Sequence, residues 1–257
     1  MRHARRALGP HRIDFHQLIA VDGGAVGLMV DFADHRATPG AWLWVRPGQV
    51  QQFRDLSAAT GWVVLFQPKA LDGATAAEAG LDDPFAPTLW QLSPTDADAA
   101  ALALAHLVAS FAPAASLPAP VRAQVLQHVL AALLLRLRFQ AEPVGSPVAP
   151  DSETFLRFRA AVEQHFARTR HVADYARQLG YTPRTLTRAT LASAGVGAKA
   201  FIDRRVILEA QRLLAHSDTP VGLIAAQLGF DDPSNFVKYF AQRTGTTPAA
   251  FRQQIGT

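Results

Sequence analysis

Two sets of side chains in the C-terminal third have the chemistry to read a polyanion. Arg184, Thr187 and Arg188 stand at i, i+3 and i+4; Ser234 and Lys238 repeat the outer positions of that register, with Asn235 beside them. On a helix these spacings fall on one face. A guanidinium can hold guanine bidentately and a carboxamide can hold adenine, while hydroxyls and ammonium groups reach base edges or phosphates. Any one such residue is more often a solvated surface side chain. Two matching faces, each at the start of a helix, favour base or phosphate contact.

The elements that would position these faces occur twice. Ala176, Leu179, Gly180 and Tyr181 map onto Ala225, Leu228, Gly229 and Phe230 at an offset of 49 residues; Pro183, Leu186, Arg188, Gly195 and Phe201 map onto Pro233, Phe236, Lys238, Gly245 and Phe251 at 50. One extra residue in the second turn accounts for the change. Each unit reads as helix, tight turn, helix. Gly180 and Gly229 are expected to end the first helix with positive φ. The small Ala176 and Ala225 let the helices approach, and Tyr181 and Phe230 plug the corner. Thr182 and Asp232 are expected to cap the second helix, each followed by a proline at the first helical position. Leu186, Phe236 and Phe240 face inward. This is the pattern of a helix-turn-helix that lays its second helix in the major groove of duplex DNA.

Between the units, Val206, Ala210, Leu213 and Leu214 form one stripe of a long helix that fixes the two heads relative to each other. Heads held one helical turn of DNA apart, roughly 34 Å, could enter successive major grooves. Arg212 is expected to solubilise this helix. Arg204 and Arg205 are left between that role and phosphate contact.

The charge distribution agrees. Residues 1–150 carry 11 Lys/Arg against 12 Asp/Glu, whereas residues 151–257 carry 14 against 9. The basic excess therefore belongs to the part with the repeat. The absence of cysteine removes disulfides and thiolate metal sites and is compatible with a reducing compartment. The longest apolar run, Val129 to Leu135, is far short of the roughly 20 residues of a membrane span. MRHARRALGPHR has basic residues but no apolar stretch behind them, unlike a signal peptide. A soluble cytoplasmic protein without a membrane partner is the expectation.

The N-terminal half reads differently. Ile13 to Val21, Val26 to Phe32, Ala41 to Arg46 and Gly61 to Gln67 are short apolar runs separated by Gly- and Pro-containing turns, a strand series suited to a small sandwich or barrel. Leu71 to Leu89 reads as loops. A helix capped by Thr95 should run to about Ser110, and a second from Pro120 to about Gln140, with Val125, Leu126, Val129, Leu130, Leu133, Leu134 and Leu137 on one broad apolar face. That face suits packing on the β-domain or a dimer interface. AEPVGSPVAPDS, residues 141–152, has the composition of a linker. A helix near Asp151 to Ala167 then opens the C-terminal part.

The C-terminal hundred residues resemble the DNA-binding domain of AraC/XylS-family transcription regulators. The resemblance rests on IAAQLGF, SNF, Lys238, Phe240, Thr244-Gly245, Pro248 and Phe251-Arg252, and in the first head on YARQLGYTPRTLTR and FIDRRV. The first head departs at Thr190, where a bulky apolar residue is more usual, and at Ala198 in place of proline, so looser packing is expected there. DFHQL, VDF and LWVRPGQVQQF resemble, more weakly, the cupin-type effector domains of the same family. The resemblance implies an α+β chain of two domains: a cupin-like β-barrel with two flanking helices over residues 1–140, a linker over 141–152, and an all-α double helix-turn-helix over 153–257. It further implies a small-molecule effector, a homodimer, promoter activation or repression, and contact with RNA polymerase in an activator.

Candidate ligand contacts are His16, Trp42, Trp44 and Arg46. The tryptophans share a strand face, which core packing explains equally well. Cupin enzymes are similar to one another in a closely spaced His-x-His, a glutamate and a later histidine that bind a metal. Here His16 and His35 are nineteen residues apart, and Ile13 to Pro68 holds no glutamate. No metal, cofactor or catalytic set is expected. His106, His128, His165, His171 and His216 read as surface or packing residues. The competing function class is a helical protein-interaction module fused to a cupin-like small-molecule-binding domain or, less favoured, a metal-dependent enzymatic one. Salt-dependent duplex binding separates the two.

Overall fold

The computed structural model describes residues 9–56, 58–81, 83, 85–112, 117–140, 142–143 and 152–255. Most of the 141–152 linker and the first eight residues lie outside them. The chain divides into two compact units, residues 12–147 and residues 148–257 together with 1–11.

In the N-terminal unit, β1 (His11–Arg12), β6 (Val50–Asp55), β3 (Val26–Val30) and β4 (Ala33–Ala37) form one sheet in that order. A second sheet has the order β7 (Thr60–Phe66), β2 (His16–Gly23), β5 (Ala41–Val45), β8 (Leu89–Gln91) and β9 (Glu142–Pro143). The apolar runs became β2, β3, β5 and β7. The first three are buried on both faces, which is why they read as continuous rather than alternating. Ile19, Val21, Leu28, Leu43 and Val45 fill the space between the sheets. The expected strand series omitted β4 and β6. Both are polar, because one side of their sheet faces water, as the exposed pairs Arg36–Asp55 and Arg54–Asp34 reflect. The β3–β4 turn places Asp31 and Phe32 at φ 46° and 69°. The Asp31 carboxylate holds it by accepting from Gln49 Nε2 at 2.8 Å and from the Val50 amide at 3.1 Å.

Two corrections concern helices of this unit. The segment read as loops contains α1 (Gly73–Glu78), capped by Asp72, whose carboxylate accepts from the Ala74 and Thr75 amides. The next helix, α2 (Pro94–Phe111), is capped by Ser93 rather than Thr95, with the Asp96 amide donating to its hydroxyl at 3.2 Å. Pro94 then takes the first helical position, where its missing N–H costs nothing. The following α3 (Ala119–Gln140) buries Leu130, Leu133, Leu134 and Leu137 against Leu18, Trp44 and Trp90 on the outer face of the five-stranded sheet, with α2 contributing Leu104 and Leu107.

The C-terminal unit is all helical: α4 (Glu153–His165), α5 (Val172–Leu179), α6 (Pro183–Ala194), α7 (Ala198–His216), α8 (Val221–Gln227), α9 (Pro233–Thr244) and α10 (Pro248–Ile255). Each helix pair packs on an aromatic cluster. In the first, Tyr175 and Phe201 meet Phe158 at 5.6 and 5.9 Å. In the second, Phe236 meets Phe230 at 5.3 Å and Phe240 at 5.9 Å, and Phe251 closes on Phe240 at 5.6 Å. Thr190 does not loosen the first head. It is fully buried and its hydroxyl donates to the Leu186 carbonyl at 2.7 Å, so the polar atom is satisfied within its own helix.

Arg205 and Arg212 correct the sequence expectation. They are 6% and 3% exposed, so they neither solubilise α7 nor reach a phosphate. Arg205 Nε donates to both oxygens of Glu163 at 2.8 and 2.9 Å, and its Nη1 to Glu209 at 3.1 Å. Arg212 lies 3.8 Å from the same Glu209.

Gly180 and Gly229 both end their helix turn at φ 74°. A Cβ at Gly180 would meet nothing within 4 Å, whereas one at Gly229 would lie 2.0 Å from the Ala167 carbonyl oxygen. Gly180→Ala should therefore cost only the left-handed backbone term, about 1–2 kcal/mol. Gly229→Ala should cost clearly more, because backbone must move as well. Urea denaturation of the two variants checks this difference.

Candidate nucleic-acid interface

Local chemistry sets each reading helix. In the first head, Thr182 caps α6 by accepting from the Thr185 amide at 3.1 Å, and Gly195 ends it at φ 68°. In the second, Asp232 caps α9 by accepting from the Ser234 amide at 2.8 Å, and Gly245 ends it at φ 75°. Pro183 and Pro233 occupy the first positions as expected. With Leu186, Phe236 and Phe240 fully buried, the opposite faces are fixed outward.

All six sequence-predicted contact residues lie on those exposed faces: Arg184, Thr187 and Arg188 on α6, and Ser234, Asn235 and Lys238 on α9. Thr187 donates its hydroxyl to the Pro183 carbonyl at 2.9 Å, which leaves its oxygen lone pairs outward. A recess of ≈ 590 Å³ beside α6 is bordered by Arg184, Thr187, Arg188 and Lys199. Lys199 was not among the predicted contacts, and its ammonium is paired with Asp203 of the same helix.

The basic residues divide by partner. Arg170 spans the heads, its guanidinium 3.9 Å from the Phe230 ring and donating to the Leu228 and Gly229 carbonyls at 3.0 and 3.1 Å. Arg243 donates to Asp203 at 2.8 Å, and Asp203 also accepts from the Tyr239 hydroxyl at 2.6 Å and from Lys199. Those three donors hold the Asp203 carboxyl below its ordinary range against the opposing effect of burial, which is the largest single influence on it. Arg252 Nη2 donates to the Thr219 carbonyl at 2.6 Å. Arg184, Arg188 and Lys238, by contrast, have no hydrogen-bond or ion-pair partner among the described residues. The cations that hold this unit together are internally engaged, and the ones on the reading faces are available to an external anion.

The four candidate ligand residues come together in the other unit, on the outer sheet face under α2 and α3, and all are buried. Trp42 stands opposite Trp90 in the sheet. The Trp44 indole N–H donates to His16 Nδ1 at 3.3 Å, and the Arg46 guanidinium lies 4.3 Å from the Trp44 ring centroid. Burial first, and the Arg46 charge second, push the His16 pKa down to about 4.

Residues 2–156 match the family described as the AraC-like ligand binding domain, and residues 175–254 match a helix-turn-helix domain. The regulatory protein PocR of Salmonella typhimurium is 33% identical over 94 residues, covering 37% of this chain and 31% of its own. The HTH-type transcriptional regulator ExsA of Pseudomonas aeruginosa is 32% identical over 97 residues, covering 38% of this chain and 35% of its own. The match thus spans about a third of the length of either relative. The crystal structure of ToxT from Vibrio cholerae O395 aligns with 96% of this chain and 92% of its own, at 14% identity and a TM-score of 0.48.

The His16 shift has a definite sign. Its folded pKa lies below the unfolded value near 6.5, so the unfolded chain takes the proton first. The contribution is complete above pH 6.5 and is lost as pH falls toward about 4, by up to about 3 kcal/mol. The urea midpoint of the wild type should fall more steeply over this window than that of His16→Gln; parallel curves would show that His16 does not carry the loss.

Proposed function

The chain belongs to the AraC family, with a ligand-binding domain and a helix-turn-helix domain, and from that premise we propose that it is a sequence-specific DNA-binding transcription regulator whose N-terminal domain answers to a small-molecule effector. One observation carries the reading. Two capped second helices of the same construction expose Arg184, Thr187 and Arg188, and Ser234, Asn235 and Lys238, while Arg170, Arg205, Arg212 and Arg243 are spent inside the same unit. Two equivalent, groove-sized helices that each present unpaired cations match the successive major grooves and phosphates of a duplex.

Arg188 and Arg184, with a planar donor fork each, are assigned to base edges, and Lys238 to a phosphate. Ser234, Asn235 and Thr187 complete the two faces. The N-terminal unit is assigned effector binding and homodimer formation, the latter through the outer surface of α2 and α3, where Leu102 and Phe139 are exposed. Acting at promoters, the chain activates or represses, with RNA polymerase as a partner in the first case. No described helix is long and apolar enough to cross a membrane.

The test is fluorescence anisotropy with a duplex selected by the full chain, titrated over a range of salt. Affinity should fall steeply with salt. Arg188→Ala should cost about 1–3 kcal/mol on the selected duplex and relax preference at one position. Lys238→Ala should weaken selected and scrambled duplexes alike and flatten the salt slope. Equal binding by wild type and both variants overturns the assigned faces.

A further inference from the structure

The outer face of the five-stranded sheet holds polar groups that its own packing does not use. His16 and Arg46 are 1% and 3% exposed. Yet His16 Nε2 and Arg46 Nε and Nη2 have no hydrogen-bond partner among the described residues. Buried nitrogens are seldom left so, least of all on a charged group. The identity of the unused atoms says what they want. Because His16 Nδ1 accepts from Trp44, the neutral ring carries its proton on Nε2, so that atom is a donor. Burial pushes Arg46 down to about 10, which leaves it cationic at neutral pH; Asp83 favours its charge and Arg138 opposes it. Its remaining nitrogen, Nη1, donates to the Pro87 carbonyl at 3.1 Å and the Ala86 carbonyl at 3.5 Å, which fixes the side chain. Both groups pack on one indole, the guanidinium at 4.3 Å and the imidazole at 6.0 Å from the Trp44 ring. The unused set is three nitrogens carrying four N–H donors and one net positive charge.

An apolar groove lies on the far side of Phe66 from the His16 ring. Phe66 stands opposite His16 in the β2–β7 register and stacks on its ring at 4.6 Å. Phe66 also lines a groove of ≈ 690 Å³ between β7 and helices α2 and α3, walled by Trp62, Val64, Leu107, Phe111 and Leu126. That volume is in the range of small-molecule sites, roughly 300–1,000 Å³. Trp62 and Phe111 remain exposed at its rim.

We propose that this outer sheet face binds a monocarboxylate with an apolar body, its carboxylate held by Arg46 and His16 and its body in the groove against Phe66. The inference rests on the effector-binding reading of this domain and places the site at the sheet–helix boundary, since Leu28, Leu43 and Val45 fill the space between the sheets. A neutral amide or alcohol would satisfy a donor but bring no charge to a buried cation. A phosphate dianion would bring more charge than one arginine balances. A singly charged, two-oxygen acceptor matches a guanidinium edge and a neighbouring N–H.

The test is isothermal titration calorimetry of the full chain with octanoate and 4-phenylbutanoate, each against its own amide, with circular dichroism to verify folding. At least one carboxylate should bind about tenfold or more tighter than its amide, and Arg46→Met should remove that preference. Failure of both carboxylates to bind, no preference over the amides, or full affinity in folded Arg46→Met overturns the proposal. Should Arg46→Met not fold, Leu126→Glu decides, since it alters the groove wall and leaves the buried pair intact: lost carboxylate binding supports the site and unchanged binding overturns it. Anisotropy with a selected duplex is run on the same preparation. A chain that binds its duplex and neither carboxylate rejects this site alone, and one that binds a carboxylate without any DNA preference rejects the regulator reading alone.

Discussion

The Asp203 carboxylate is the contact on which the C-terminal unit turns. It sits on α7, the helix between the two heads, and accepts from Tyr239 and Arg243 of the second reading helix and from Lys199 one turn earlier on its own helix. Tyr239 has its phenol pushed well above the ordinary range by burial and by this bond, so it remains a donor at any working pH. Arg170 makes the complementary connection from the first head, covering Phe230 and donating to the Leu228 and Gly229 carbonyls at the end of α8. Side chains on both sides of the repeat thus close onto groups more than thirty residues away in sequence. The orientation of one reading face relative to the other is set by these polar contacts together with the apolar stripe of α7.

This arrangement also explains the economy of charge. A cation used to fix architecture is desolvated and paired, and cannot be offered to a ligand. Arg205 and Arg212 share Glu209 within α7, and Arg205 also holds Glu163 of α4, which ties the connecting helix to the helix that opens the unit. What remains unpaired on α6 and α9 is a small set of donors on two faces. The N-terminal unit inverts the pattern, since there a cation and an imidazole are buried without full pairing. In the one case free donors face solvent, ready for a polyanion. In the other they are enclosed within the domain, suited to a small acceptor.

Much of the reading machinery was legible in the residues because it is local. A glycine two residues before a cap, a capping hydroxyl or carboxylate, a proline after it and an apolar residue at helical spacing are all decided within a dozen positions, and Gly180, Thr182, Pro183 and Leu186 behave as that chemistry requires. The role of Arg205 was not legible, because its partner Glu163 is 42 residues away and nothing in composition signals the pairing; Arg212 meets Glu209 only three residues earlier, but that spacing does not reveal that the pair is buried. Strands β4 and β6 escaped notice for a different reason: their solvent-facing polar residues break the apolar run that marks a buried strand. Ser93 was passed over for Thr95 because a proline intervenes, although proline at the first helical position is the better indicator of a cap just before it. Trp42 and Trp44 were singled out on strand spacing, and His16 in the comparison with cupin metal sites. That Arg46 and His16 keep unused donors could be read only once Trp44, Pro87 and the helices above them were in place.

Selection of bound sequences from a randomised duplex pool by the full chain tests the central claim most directly, namely that α7 and its polar contacts present two reading heads as one rigid reader. The account predicts two preferred blocks of bases on one face of the DNA, centred about 10–10.5 base pairs apart, the spacing of successive major grooves. A single preferred block, or two blocks with freely varying separation, would contradict it.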